Sequence, residues 1–215
     1  MRRIAFAVGG LVAAVLVGGQ FALPLLAERR IERQLRDTGE VRRVSVSAFP
    51  AVKLLFKRAD RIEIEMGDAR AGTGRLAKLL RDARGVGELD ARVQQLRLGP
   101  LLMRDLRLAK DGPRLDGEAA VTDADLTAAL PSQFAVRPVD TGDGQLVLEG
   151  NAGPFSARAR LVAQDGAVVI APEGLLGALG TLTVFRDRGI EVTSVGSQPR
   201  EGGFTLSAGG LLAGG

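Results

Sequence analysis

The side chains that most often carry covalent and acid–base chemistry are missing from this sequence. It contains no His and no Cys. That removes the commonest general base, the commonest zinc ligand, and all thiolate and disulfide chemistry. Ser45, Ser47, Ser132, Ser156, Ser194, Ser197 and Ser207 therefore have no imidazole to activate them, and none opens an S-x-x-K pattern. Asp140, Asp143 and Asp165 lie in glycine turns, but Asn151 stands where a calcium loop begun at Asp140 needs its closing Glu. Gly72-Thr73-Gly74-Arg75-Leu76-Ala77 matches the dinucleotide fingerprint G-x-G-x-x-G/A, with Asp90 further on. The strand before it alternates with charges, whereas a central parallel strand is continuously apolar, and no βαβ series is expected after it. The segment reads as a glycine turn. Asp123 and Asp125 read as helix-capping groups. No reaction, metal or cofactor is called for, and the expectation is a non-enzymatic protein.

Binding is the remaining class. The net charge is +4, carried almost wholly by Arg, with Lys only at 53, 57, 78 and 110. There is no Trp or Tyr, and the eight Phe are scattered. Stacking platforms for bases are absent, so no nucleic-acid partner is expected.

The apolar residues are organised along the chain. Arg2 and Arg3 precede an apolar run from Ile4 to Ala27, broken only by Gln20 and Pro24. A helix of about 24 residues spans about 36 Å, enough for a hydrocarbon core of about 30 Å. Residues 1–27 are expected to be a membrane anchor, or in the rival reading a cleaved signal segment. The arginines on both sides of the run leave orientation open. Residues 28–39 read as a charged helical stalk. Ala27, Ile31 and Leu35 share one face, Glu32 and Arg36 make an i, i+4 pair, and Gly39 is the stop.

From Val41 the period becomes two. Val44, Val46 and Ala48 alternate with Arg43, Ser45 and Ser47 up to Phe49-Pro50, and a short apolar segment, Ala51 to Phe56, follows. Arg61 to Met66 alternates strictly, with Ile62, Ile64 and Met66 on one face and Arg61, Glu63 and Glu65 on the other. Leu76, Leu79, Leu80 and Ala83 have helical spacing. Leu89, Ala91 and Val93 alternate, as do Leu96 with Leu98 and Leu106 with Leu108. Leu115 to Val121 is a strand, and Thr122 caps a short helix from Ala124 to Leu130. The rest is a meander: Gln145–Glu149, Phe155–Ala163, Ala167–Ala171, Leu182–Phe185, Ile190–Val195 and Phe204–Ala208, with a hairpin turn at Asp165-Gly166. The expected fold class is α+β, with an N-terminal transmembrane or signal helix and one curled, mainly antiparallel sheet packed on a few helices. A β-rich domain is expected over 40–208, and the glycine-rich tail 209–215 is expected to fray.

Several of these segments together resemble a known family. They are the stalk Leu25-Leu26-Ala27-Glu28-Arg29-Arg30-Ile31-Glu32-Arg33-Gln34-Leu35, the strand Ser45-Val46-Ser47-Ala48 ending in Phe49-Pro50, the apolar segment Val52 to Phe56, and the alternating Asp60 to Met66. To these add the strand-to-helix step Ala119 to Leu126, the late Ile190 to Val195, and Gly202-Gly203-Phe204-Thr205-Leu206. The pattern resembles the LmeA-type phospholipid-binding family of actinobacterial cell-envelope proteins, departing from it at Thr73 to Val86. The resemblance implies an extracytoplasmic domain related to tubular lipid-binding folds, in which a curved sheet wraps a long helix and leaves an apolar groove. It also implies phospholipid or other acyl-chain lipid as ligand, a membrane as partner, and a role in envelope lipid or lipid-linked glycan assembly. The candidate groove residues are the apolar faces: Phe49, Leu54, Leu55 and Phe56; Ile62, Ile64 and Met66; Leu76, Leu79 and Leu80; Leu96, Leu98, Leu106 and Leu108; and Val121, Leu126 and Leu130. Few aromatics and many aliphatics suit such a groove. The alternative is a structural or partner-recruiting envelope module with no lipid ligand.

Overall fold

A computed structural model describes residues 23–129, 135–140, 144–152, 155–173 and 181–213. Helix α1 covers residues 23–36. Its apolar stripe is buried as the spacing predicts: Leu35 lies in the core, and Ala27 and Ile31 pack beside it. Arg36 donates to Glu32 at 2.8 Å. The helical stalk thus packs its apolar stripe against the sheet. A stripe of Ala, Ile and Leu needs a cover, and Met66, Ala69, Val93 and Leu96 supply it.

The chain then runs β1 (Gly39–Ser47), a 3-10 turn (Ala51–Phe56), β2 (Ala59–Ala71), α2 (Thr73–Asp82), β3 (Val86–Leu98), β4 (Leu101–Asp111) and β5 (Arg114–Thr122). After these come α3 (Asp123–Ala129), β6 (Ala135–Asp140), β7 (Leu146–Ala152), β8 (Phe155–Gln164), β9 (Ala167–Pro172), β10 (Leu182–Phe185), β11 (Ile190–Arg200) and β12 (Gly203–Leu212). Gly39 is where α1 hands over to β1, and only a glycine fits: a Cβ there would lie 2.2 Å from the Asp68 carbonyl oxygen on β2.

The single expected sheet is two. One has seven strands in the order β1-β2-β3-β4-β5-β12-β11, the other five in the order β10-β9-β8-β7-β6. The second is a local meander closed by short turns, with Asp165 and Gly166 both at positive φ. Strand β6 was not foreseen, since Arg137 and Pro138 break its alternation. The C-terminal residues Gly209 to Leu212 do not fray. They extend β12 between β5 and β11, and Leu212 is buried.

One pairing overturns a sequence expectation. β2 and β3 are parallel and joined through α2, so the Gly72–Ala77 segment does open a βαβ crossover. The strands alternate with charge because this parallel pair keeps one face in water. On that face Arg61 reaches Glu63 at 3.0 Å and Glu88 at 2.8 Å. Farther along, the apolar phase shifts on both strands at once, from Met66 to Ala69 and from Val93 to Leu96. The two short alternations read on either side of residue 94 are thus one strand.

At the end of the first large sheet α3 is capped as read. The Thr122 hydroxyl accepts the Asp125 N–H at 3.1 Å and donates to the Asp125 carboxylate. That hydroxyl, and then Arg104, hold the Asp125 carboxyl below its ordinary pKa. Among the described residues no helix is long and apolar enough to cross a membrane. The apolar run 4–27 lies outside them except for its last five positions, and Leu130 lies outside them altogether.

Lys110 is the one cation in the apolar face of β4. It is 3% exposed, and its ammonium donates to the Val86 carbonyl and, at 3.5 Å, to that of Gly87. Burial lowers its pKa from the ordinary 10.5, opposed by Asp111. From the lowered folded value up to 10.5, the unfolded chain holds a proton the folded one has released, so stability rises with pH across that window. Lys110→Met is expected to abolish that rise. It should change stability at neutral pH by only about 1–2 kcal/mol, because volume is kept while the Val86 carbonyl loses its donor. Thermal melts of both proteins from neutral pH up to 10.5 measure it.

Candidate functional site

Strand register sorts the inner face of the seven-stranded sheet into rows running across the strands. Val46, Ile62, Leu89, Lys110 and Leu115 stand opposite one another on β1 to β5, and all are buried. Two residues along lies a different row: Val44, Ile64, Ala91, Leu108, Gly117, Ala208 and Val195, on β1, β2, β3, β4, β5, β12 and β11. No member of this row is buried; six are half-buried and Ala208 is exposed. In the next row Met66 and Val93 are buried again, followed by Leu106.

A half-buried apolar strip therefore crosses the whole sheet between buried rows, with Val44, Ile64 and Leu108 also packed against the core clusters. With strands spaced 4.7–4.9 Å apart, seven strands span about 28 Å. At the β1 end the strip is flanked by α1, where Ile31, Val44 and Ile64 pack against both core clusters on either side. Toward β5 and β12, one flank is the cluster of Ala77, Leu115, Ile190 and Leu212, with Leu80 of α2. The other flank is Val121, Leu126 and Phe204, packed with Leu146 and Leu148 of the second sheet.

Small residues make the strip a candidate groove. Ala91, Gly117 and Ala208 replace the Leu or Val expected on an inner face, leaving Leu108 between them. A Cβ added at Gly117 would meet only Leu108 Cδ1 at 3.7 Å and the Ala208 carbonyl oxygen at 3.9 Å, both ordinary contacts. There is thus room for a Cβ at Gly117 without displacement of its neighbours. Such a surface holds apolar matter by burial, at about 0.8 kcal/mol per CH₂. It needs no nucleophile and no charge.

The expected site residues separate into groups. Ile64 and Leu108 line the groove, and Leu106 borders it, half-buried. Ile62, Met66, Leu96, Val121 and Leu126 are buried core. Leu54, Leu79 and Leu80 pack against three separate clusters. Leu76 and Leu98 are half-buried outside those clusters. Phe49, Leu55 and Phe56 do not face the groove: Leu55 and Phe56 are exposed on the 3-10 turn, which is too short to bury every side, and Phe49 is exposed just before it. Ala91, Gly117, Ala208, Val44 and Val195 were not named as site residues. A small residue in a strand marks a groove only once its neighbours across the sheet are known.

A separate cleft of about 510 Å³ is lined by Arg42, Arg92, Arg107 and Arg200 with Glu65, Asp105 and Glu118, together with Met66, Val93 and Leu106. Its lining mixes both signs of charge, which does not suit an acyl chain.

A family model described as LmeA-like phospholipid-binding matches residues 18–209. No curated protein and no solved structure matches the chain. The match takes in α1, both sheets as far as Gly209 of β12 and every residue of the groove, and on that extent the chain belongs to the LmeA-like phospholipid-binding family.

Proposed function

We propose that this protein binds a phospholipid by laying an acyl chain along the row Val44, Ile64, Ala91, Leu108, Gly117, Ala208 and Val195. In this reading the apolar run Ile4–Ala27 tethers it to a membrane. The domain faces the extracytoplasmic side and serves envelope lipid or lipid-linked glycan assembly without catalysing a reaction. The observation that carries the reading is the half-buried row, with Ala91, Gly117 and Ala208 in it, in a chain of this family. A sixteen-carbon chain offers about 12 kcal/mol of gross burial, so useful affinity needs no strong polar contact. The absence of His and Cys from the whole sequence supports a carrier over a catalyst.

One preparation tests it. Full-length protein should sediment with membranes, be digested by protease added to intact spheroplasts, and yield phospholipid when purified and extracted. Recovery in the soluble fraction with Met1 intact would sink the tether, and protection from protease would sink the orientation. Protein that never carries lipid leaves the partner-recruiting module as the better reading.

A further inference from the structure

Phe49, just before the 3-10 turn, and Val52, Leu55 and Phe56 on it point outward, at 76%, 46%, 65% and 74% exposure. Single exposed apolar residues are ordinary, but two Phe, a Val and a Leu within eight residues form a patch. The turn beneath them is well anchored. Ala51 is buried, and Leu54 packs against the cluster of Val46, Ala59, Ile62, Val86 and Leu89. The Asp60 carboxylate accepts from the Phe49 N–H at 2.6 Å and from the Lys53 ammonium at 2.8 Å. The Lys57 N–H donates to the Leu54 carbonyl at 3.1 Å, and the Arg58 N–H to that of Lys53 at 3.0 Å. A fixed scaffold thus keeps the apolar side chains in solvent. Directly beside them stand the exposed Lys57 and Arg58, which pair with no carboxylate among the described residues.

The same end of the domain receives α1. Ala27 packs against the cluster that Leu54 joins, and the Glu28 carboxylate accepts the Val46 N–H at 3.0 Å. Leu25 and Leu26, just before, are 56% and 58% exposed, and the sequence upstream is apolar from Ile4.

We infer that this tip is a membrane-docking surface. Phe49, Val52, Leu55 and Phe56 enter the interfacial layer of an anionic phospholipid bilayer, and Lys57 and Arg58 meet its phosphates. Apolar side chains rimmed by cations suit that interface. The exit of the apolar run beside the tip brings it to the bilayer. The inference rests on the membrane attachment proposed above and not on lipid occupancy of the groove.

The chain contains no Trp, so one introduced Trp reports alone. Phe56→Trp places it on the tip. Arg97→Trp places it, exposed, near the far end of β3, about 36 Å along the strand from the tip side. Each full-length variant is reconstituted into vesicles of phosphatidylcholine and phosphatidylglycerol containing brominated lipid. The expected result is a blue shift and several-fold stronger quenching for Phe56→Trp than for Arg97→Trp. Adding Phe49→Asp and Leu55→Asp should abolish that quenching at unchanged Tm, since both residues are exposed. Equal quenching of the two reporters overturns the inference, as does quenching that survives the two aspartates. A blue shift that tracks dimer formation also overturns it, assigning the patch to a second copy. Protein that does not float with vesicles fails the attachment itself, whereas protein that floats with an unquenched tip fails the tip alone.

Discussion

Gly117→Leu is expected to strip bound phospholipid from the protein while leaving it folded. Gly117 stands in the middle of the half-buried row, opposite Leu108 on one side and Ala208 on the other. Its backbone is not at positive φ, and a Cβ there makes only ordinary contacts. A side chain at this position must project from the inner face, into the space the acyl chain would occupy. Four carbons of Leu displace about four methylenes of lipid contact, or about 3 kcal/mol. That corresponds to roughly a 100-fold loss of affinity. Stability should hold or rise slightly, because glycine inside a strand is unfavourable by about 0.5–1 kcal/mol relative to alanine. Lipid content by native mass spectrometry and a thermal melt measure the two effects separately. Wild-type lipid content in a folded Gly117→Leu protein would remove this row as the lipid path.

Ile62→Asp should unfold the domain. Ile62 is 8% exposed in the cluster formed by Val46, Ala59, Val86 and Leu89, with Ala27 and Ile31 of α1 packed on it. The change forfeits about 2–3 kcal/mol of burial and adds the desolvation of a carboxylate. A domain whose whole stability is about 5–15 kcal/mol cannot absorb much of that. Its neighbours on β2 set the contrast. Glu63 points to the solvent face, where Arg61 donates to it at 3.0 Å, so Glu63→Gln should stay within about 0.5 kcal/mol. Ile64 is half-buried in the groove row, so Ile64→Ala should weaken lipid retention with the fold intact. Urea melts of the three variants, with lipid content for Ile64→Ala, check the ordering. A folded Ile62→Asp protein, or a Glu63→Gln protein as damaged as it, would mean that the faces of β2 are misassigned.

Much of this architecture is legible from local pattern. The Ile62, Ile64, Met66 alternation names the inner face of β2 because a strand's side chains change sides at every residue. The Ala27, Ile31, Leu35 spacing names the buried face of α1, and Thr122 with Asp125 names a helix start, for equally local reasons. Hydrophobicity gives no depth at Phe49, Leu55 and Phe56, which stay exposed beside and on a 3-10 turn too short to bury all its sides. Gly209 to Leu212 are the opposite case. Glycine composition suggests fraying, yet β5 and β11 take up the backbone hydrogen bonds on both edges of β12.

Features with a short period are therefore legible along the chain: most strands and helices, the apolar face of each, and the lack of His and Cys chemistry. Which apolar residues lie next to one another depends on long-range contacts. The parallel pairing of β2 with β3 and the division into two sheets are contacts between segments distant along the chain. So is the groove, since Gly117 meets Ala208 across 91 positions of sequence. Register between strands is set by the packing of both faces together with the turns, and no window along the chain contains it.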